Sequence, residues 1–185
     1  MNYVISHGNI MIQEGVSEYS KANISDISIQ VIIKDTKDQS EVQVPTPNAQ
    51  YAKIICERID LSAPLFYGDN DTVLQKGVGH YTGSALPGEG RPILISGHDG
   101  TYFAPIEFLK TGDQIKITTA YGEFIYEVIG TKIADSEDTK AYDLAQEKEQ
   151  LILYTCYPFG QLLGDRSERF FVYCDLILQA EESVE

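Results

Sequence analysis

From Tyr51 onward, short apolar runs recur at close intervals and are broken by Gly, Pro, Asn and Asp. The runs at 52–57, 92–96, 114–119, 123–132, 151–155 and 169–178 are rich in β-branched and aromatic residues, which predicts strands. Tyr121-Gly122, between two of them, suits a tight hairpin, and Phe124, Tyr126 and Val128 then share one face because strand side chains alternate. Helical patterns are brief: 71–76, 105–109 with Pro near its first turn, and 139–146. Many short strands and few helices imply a mostly-β fold, a closed barrel or a sandwich. Before Tyr51 the pattern fades. Ile27, Ile29 and Val31 to Ile33 fit a strand or a helical turn equally well, and Pro45-Thr46-Pro47-Asn48 resists regular structure. Residues 1–50 therefore read as an N-terminal extension, 51–180 as the main domain and 181–185 as a tail.

Composition sharpens this picture. With 185 residues, 43% of them hydrophobic, the chain can build one real core. Its 28 acidic residues against 14 Lys+Arg give a net charge of -14, a field that repels phosphate backbones and argues against nucleic acid as a partner. Three cysteines and three histidines, with no C-x-x-C or H-x-x-x-H spacing, support neither a disulfide framework nor a zinc site. No apolar stretch approaches the roughly 20 residues of a membrane span, and residues 1–12 lack the layout of a signal peptide. The expectation is a soluble chain, or the soluble part of a longer one. Residues 134–149 hold six acids against Lys140 and Lys148, read as a solvated loop and helix, or else as a cation site or one wall of a groove.

Candidate chemistry centres on Cys156. It follows the apolar run 151–155 and precedes Tyr157-Pro158, where proline cannot extend the ladder, so it belongs at a strand end facing a loop. After twelve intervening residues Arg169 opens the run Phe170-Phe171-Val172. If the two strands pair antiparallel, thiol and guanidinium reach the same rim, where a fixed Arg can stabilise an oxyanion. His98, at a turn after the apolar 92–96, is the candidate base. On pattern alone the alternatives stay open: Cys156 as a small buried apolar residue, Arg169 on the surface, and His98 as a structural histidine, a reading that suits His80 and His7 better still. Arg166, in the polar turn Gly164-Asp165-Arg166-Ser167-Glu168, is expected to point to solvent.

These motifs resemble the sortases, the cysteine transpeptidases of Gram-positive bacteria, and among them class D. Ile152-Leu153-Tyr154-Thr155-Cys156 is similar to the family's T-L-x-T-C signature with Ile152 in place of Thr. Tyr157-Pro158-Phe159 and Arg169-Phe170-Phe171-Val172 resemble the class D continuation. Gly97-His98, Thr101, Phe103 and Leu109-Lys110-Thr111-Gly112-Asp113 resemble the histidine segment, although a common Gly-His-Arg-Asp-Thr is here Gly97-His98-Asp99-Gly100-Thr101. Gly77-Val78-Gly79-His80-Tyr81 and Ala85-Leu86-Pro87-Gly88-Glu89-Gly90 are also similar, so the likeness runs from about Ile54 to Ile177.

The resemblance implies an eight-stranded sortase β-barrel over 51–180, with Cys156 as nucleophile, His98 as its proton partner and Arg169 as oxyanion or substrate stabiliser. It further implies cleavage of an LPxTG-like sorting signal between Thr and Gly through a thioester, and transfer to an amine of a peptidoglycan precursor. The groove would be walled by 131–150 and 157–168. No cofactor is required; calcium at the acidic loop has no ligand-loop spacing to support it. The implied location is the outer face of the membrane or the cell wall, reached through an N-terminal anchor that this chain lacks, as a soluble truncation would. The rival expectations are a secreted cysteine peptidase that resolves the thioester with water and a non-catalytic cell-wall-binding β-domain.

Overall fold

The alternation of inward apolar and outward polar residues resolves, in a computed structural model, into eight strands that close on themselves. The described residues are 5–6, 9–10, 44–161 and 166–180. The chain divides into two units, 1–39 and 40–185; in the first, Ile5–Ser6 pairs antiparallel with Asn9–Ile10. The second holds the barrel strands β1 (Gln50–Cys56), β2 (Leu61–Tyr67), β3 (Val78–His80), β4 (Ile93–Ser96), β5 (Gln114–Thr119), β6 (Gly122–Asp135), β7 (Gln150–Tyr157) and β8 (Glu168–Ala180). Their order around the barrel is β8-β6-β5-β1-β2-β3-β4-β7. The β2/β3 and β4/β7 pairs are parallel and the rest antiparallel.

The interior is lined by alternate residues of each strand, among them Ile54, Leu65, Ile93, Ile117, Leu153 and Val172, all fully buried. Each such side chain contributes about 1.5–3 kcal/mol by leaving water. Phe124, Tyr126 and Val128 share this face as expected. Outside the barrel wall lies a second, smaller cluster in which Leu94, Ala134, Ile152 and Phe171 meet Ala141 from the segment between β6 and β7.

Several local expectations change. The hairpin turn is Ala120-Tyr121, one residue earlier than expected, because Thr119 pairs with Gly122 and its hydroxyl accepts from the Tyr121 N–H while donating to the Gly122 carbonyl. The helix expected at 139–146 shrinks to a 3-10 turn, Thr139–Ala141. The side chains of Asp138 and Asp143 there accept from the backbone N–H two residues on, and such bonds compete with a helix. β2 escaped the strand pattern because Pro64 interrupts it; its pairing with β3 begins only at Leu65, so Pro64 has no β3 partner. The 71–76 helix is a single turn, Asp71–Leu74, capped by the Asn70 side chain. The runs at 27–33 and 181–185, and His7, lie outside the described residues.

Candidate active site

Strand parity decides which way the candidate nucleophile faces. In β7, Leu151 and Leu153 belong to the interior, whereas Ile152 and Tyr154 belong to the outer cluster. Cys156 shares the parity of the latter pair and so faces outward near the end of the strand, half-buried and unpaired with any other cysteine. In β8, Phe171 and Tyr173 face outward, which gives Arg169 the same orientation. Arg169 is the direct cross-strand partner of Cys156, and side chains opposite one another in an antiparallel pair stand about 4.5–5.5 Å apart at Cβ. Its Nη1 donates to the carbonyls of Arg166 (2.7 Å) and Glu168 (2.9 Å), which fixes the guanidinium.

His98 is brought in from the other side of β7. The ladder with β4 ends at Ser96–Tyr154. It is prolonged by Gly97 N–H donating to the Tyr154 carbonyl (3.3 Å) and Thr155 Oγ1 donating to the Gly97 carbonyl (2.7 Å). The backbone before His98 is thus tied to the residue before Cys156. After His98 the chain turns sharply: its carbonyl accepts from the N–H of Thr101 and Phe103. Phe103 is fully buried, and its ring lies so close to Gly97 that an added Cβ would come within 2.6 Å of it. Glycine is needed there for close approach.

One residue on, Asp99 is nearly buried, and its Oδ1 accepts from Arg166 Nη2 at 2.5 Å. This corrects the expectation that Arg166 points to solvent. A half-buried guanidinium is held there because a carboxylate faces it, and that bond is the main cause of its raised pKa, with the Cys156 thiol also in Coulombic range. The acid that stands where resemblance suggests an arginine therefore takes its cation from the far loop. Nothing local in the sequence pointed to this pair, which is separated by 67 positions.

The outward face leading to Cys156 is aromatic. Tyr154 stacks on Phe171 (5.7 Å between centroids), Phe171 stacks on Tyr173 (6.4 Å), and Tyr142 from the β6–β7 segment tilts over Phe171 (6.3 Å). Burial, and then the Asp69 carboxylate, raise the pKa of Tyr154, so it stays a neutral phenol. The acids of 134–149 are not all solvated: Glu149 is buried and accepts from Gly88 N–H, Gly90 N–H and the Tyr126 hydroxyl (2.7 Å). Among the described residues, no group of three or more His, Cys, Asp and Glu side chains could hold a metal ion.

The site thus holds a cysteine on a strand end, a histidine on the adjoining loop and an arginine opposite the cysteine. A sortase-domain family model matches residues 54–177. The chain belongs to the sortase family. It is 40% identical over 143 residues to Sortase D of Bacillus subtilis (strain 168), covering 76% of this chain and 72% of that protein. The fold of this sortase is similar to that of a Clostridium perfringens Sortase D5 transpeptidase, with a TM-score of 0.64 and 27% identity over 72% of this chain and 82% of that one. It is also similar to sortase E from Streptomyces avermitilis, with a TM-score of 0.62 and 25% identity over 74% of this chain and 93% of that one. Members of the family are cysteine transpeptidases, and the closed eight-stranded barrel of this sortase is the fold the resemblance implied.

Proposed function

We propose that this sortase cleaves an LPxTG-like sorting signal between Thr and Gly and transfers the acyl part to an amine of a peptidoglycan precursor, with Cys156, His98 and Arg169 as its catalytic residues. The observation that carries this reading is the in-register pairing of Cys156 with Arg169 on one outward face, beside a histidine loop bonded to Thr155. The Cys156 thiolate attacks the Thr carbonyl, and Arg169 stabilises the negative oxygen that develops there. As the C–N bond breaks, His98 gives a proton to the departing Gly nitrogen and a thioester remains. An incoming amine, whose proton His98 takes, then attacks the thioester and frees the thiol. None of these steps requires a metal or cofactor.

The aromatic face supports the substrate class. Tyr154, Tyr142 and Leu144, half-buried over the buried Phe171, offer apolar surface on the same side as the thiol, suited to a Leu-Pro segment. The site of action follows from the substrate: the outer face of the membrane or the cell wall. Incubation with an LPxTG peptide, followed by mass spectrometry, should reveal a mass increase on Cys156 equal to the acyl fragment. Adding triglycine should convert that adduct to a ligated product. A hydrolysed peptide as sole product, unchanged by triglycine, would favour a peptidase, and no adduct with any such peptide would leave a binding domain.

A further inference from the structure

Arg166 touches both sides of the site without being opposite the thiol. Its Nη2 donates to Asp99, the residue after His98, at 2.5 Å. Its main-chain carbonyl accepts from Arg169 Nη1 at 2.7 Å. Its Nε is buried and has no hydrogen-bond partner, and its Nη2 is held by the Asp99 carboxylate. Asp99 is likewise buried, and burying a carboxylate is costly unless a partner faces it.

From this juxtaposition we infer that Arg166 and Asp99 form a positioning clamp for the transpeptidase reaction, locking the His98 turn to the start of β8 so that His98 and Arg169 hold one fixed geometry around Cys156. The inference rests on the catalytic assignment proposed above. Three groups must be aligned, and they come from one loop and the ends of two strands, β7 and β8, that are far apart in sequence from that loop. His98 is anchored on its Gly97 side by bonds to Tyr154 and Thr155 and through its own carbonyl by the Thr101 and Phe103 N–H groups, while Asp99 adds the anchor that reaches across to the segment before β8. Arg169 in turn leans on the carbonyl of the residue whose side chain holds Asp99. Losing the clamp leaves the strands paired but lets the turn and the guanidinium drift, and small misplacements of reacting groups cost up to about 100-fold in rate.

The test is a double-mutant cycle with Asp99→Asn, Arg166→Gln and the pair together, plus Arg166→Lys and the exchange Asp99→Arg/Arg166→Asp, with Cys156→Ala as control. Steady-state kcat and KM are measured on an LPxTG peptide with triglycine. Alkylation of Cys156 by iodoacetamide at pH 7, followed by peptide mapping, supplies a readout that needs no sorting peptide. Each single substitution should lower kcat about 10- to 100-fold with KM within about threefold, and the pair should be no worse than either single, because both remove one interaction. Arg166→Lys should keep part of the rate, and the charge exchange should regain most of it. Alkylation should slow to the same extent in both singles and the pair. Multiplicative losses in the pair, a rise in KM at unchanged kcat, or equal inactivity of the exchange with an unaltered melting temperature would overturn the clamp. Turnover persisting in Cys156→Ala would overturn the catalytic assignment and the clamp with it, whereas Cys156-dependent turnover with multiplicative losses would overturn the clamp alone.

Discussion

Lowering the pH from 7 to 5 should cost the folded barrel about 2 kcal/mol through a single side chain, His80. The imidazole is fully buried in β3. Ser84 Oγ donates to the Tyr81 carbonyl at 2.8 Å, so it accepts from His80 Nε2–H at 2.9 Å, and the Tyr51 hydroxyl donates to Nδ1 at 2.7 Å. Both ring nitrogens are thus satisfied in the neutral form. A second proton would displace the Tyr51 bond and place a charge in the barrel wall. Burial is the main reason its pKa is pushed down from 6.5 to about 4. Above pH 6.5 both folded and unfolded chains hold His80 neutral and its contribution is full. Between 6.5 and 4 the unfolded chain binds the proton and the folded one does not, so stability falls with pH. The loss reaches about 2 kcal/mol by pH 5 and levels off near 3 kcal/mol below pH 4. Urea unfolding of wild type and His80→Gln from pH 7.5 to 4.5 isolates this effect, because carboxylates titrate alike in both. The wild-type advantage should shrink by about 2 kcal/mol between pH 7 and 5. A difference that stays constant over that interval would refute the argument, and His80→Gln should keep most of its transfer activity at pH 7.

Other outcomes follow from the same geometry. Cys156→Ala should abolish acyl-enzyme formation and move the melting temperature by no more than about 2 °C, since a half-exposed thiol contributes little core. Cys56→Ala and Cys174→Ala should keep activity, and iodoacetamide should label Cys156 alone in the native protein, because burial raises the other two thiols; comparable loss in Cys56→Ala would refute the assignment. Arg169→Ala should lose about 100- to 1,000-fold in kcat and Arg169→Lys should recover only part, as read by steady-state transpeptidation. Glu149→Ala should destabilise by about 3–5 kcal/mol in urea unfolding, because Gly88 N–H, Gly90 N–H and the Tyr126 hydroxyl all lose a charged acceptor.

The strands that were legible in the sequence are those whose alternation is uninterrupted. Gln114–Thr119 matches its expected limits, and the runs at 123–132 and 169–178 lengthen by one residue at the start and by three and two residues at the end to become β6 and β8. β2 also alternates, through Leu61, Ala63 and Leu65, but Pro64 hides it, and β3 is too short at three residues to show a period. Local pattern registers what a residue does to its own segment. It is silent on Glu149, whose partners lie 23 to 61 positions away, and on Arg166, whose partner is 67 away. Glu149 and Arg166 both sit in polar stretches where solvation is the ordinary reading. They differ from their neighbours only in what the barrel brings against them.

Why the candidate site sits where it does is a matter of register. β7 is hydrogen-bonded on both flanks, parallel to β4 and antiparallel to β8. A parallel neighbour ends on the same side as β7, and an antiparallel one begins there, so the loop leaving β4 and the first residues of β8 must both adjoin the C-terminal end of β7. His98 and Arg169 are therefore neighbours of Cys156 by topology, whatever the length of the loop between 157 and 168. Parity then selects the residue. Thr155, one position earlier, is buried and spends its hydroxyl on the Gly97 carbonyl; a one-residue slip of β7 would turn the thiol to that side and leave a threonine facing Arg169. The long apolar ladder from Leu151 to Leu153, anchored in the barrel on one face and under Tyr142 on the other, is what forbids the slip. The packing that holds β7 in register thus also keeps the thiol on the face it shares with Arg169, which is why the apolar run before Cys156 matters to the chemistry as much as the residues after it.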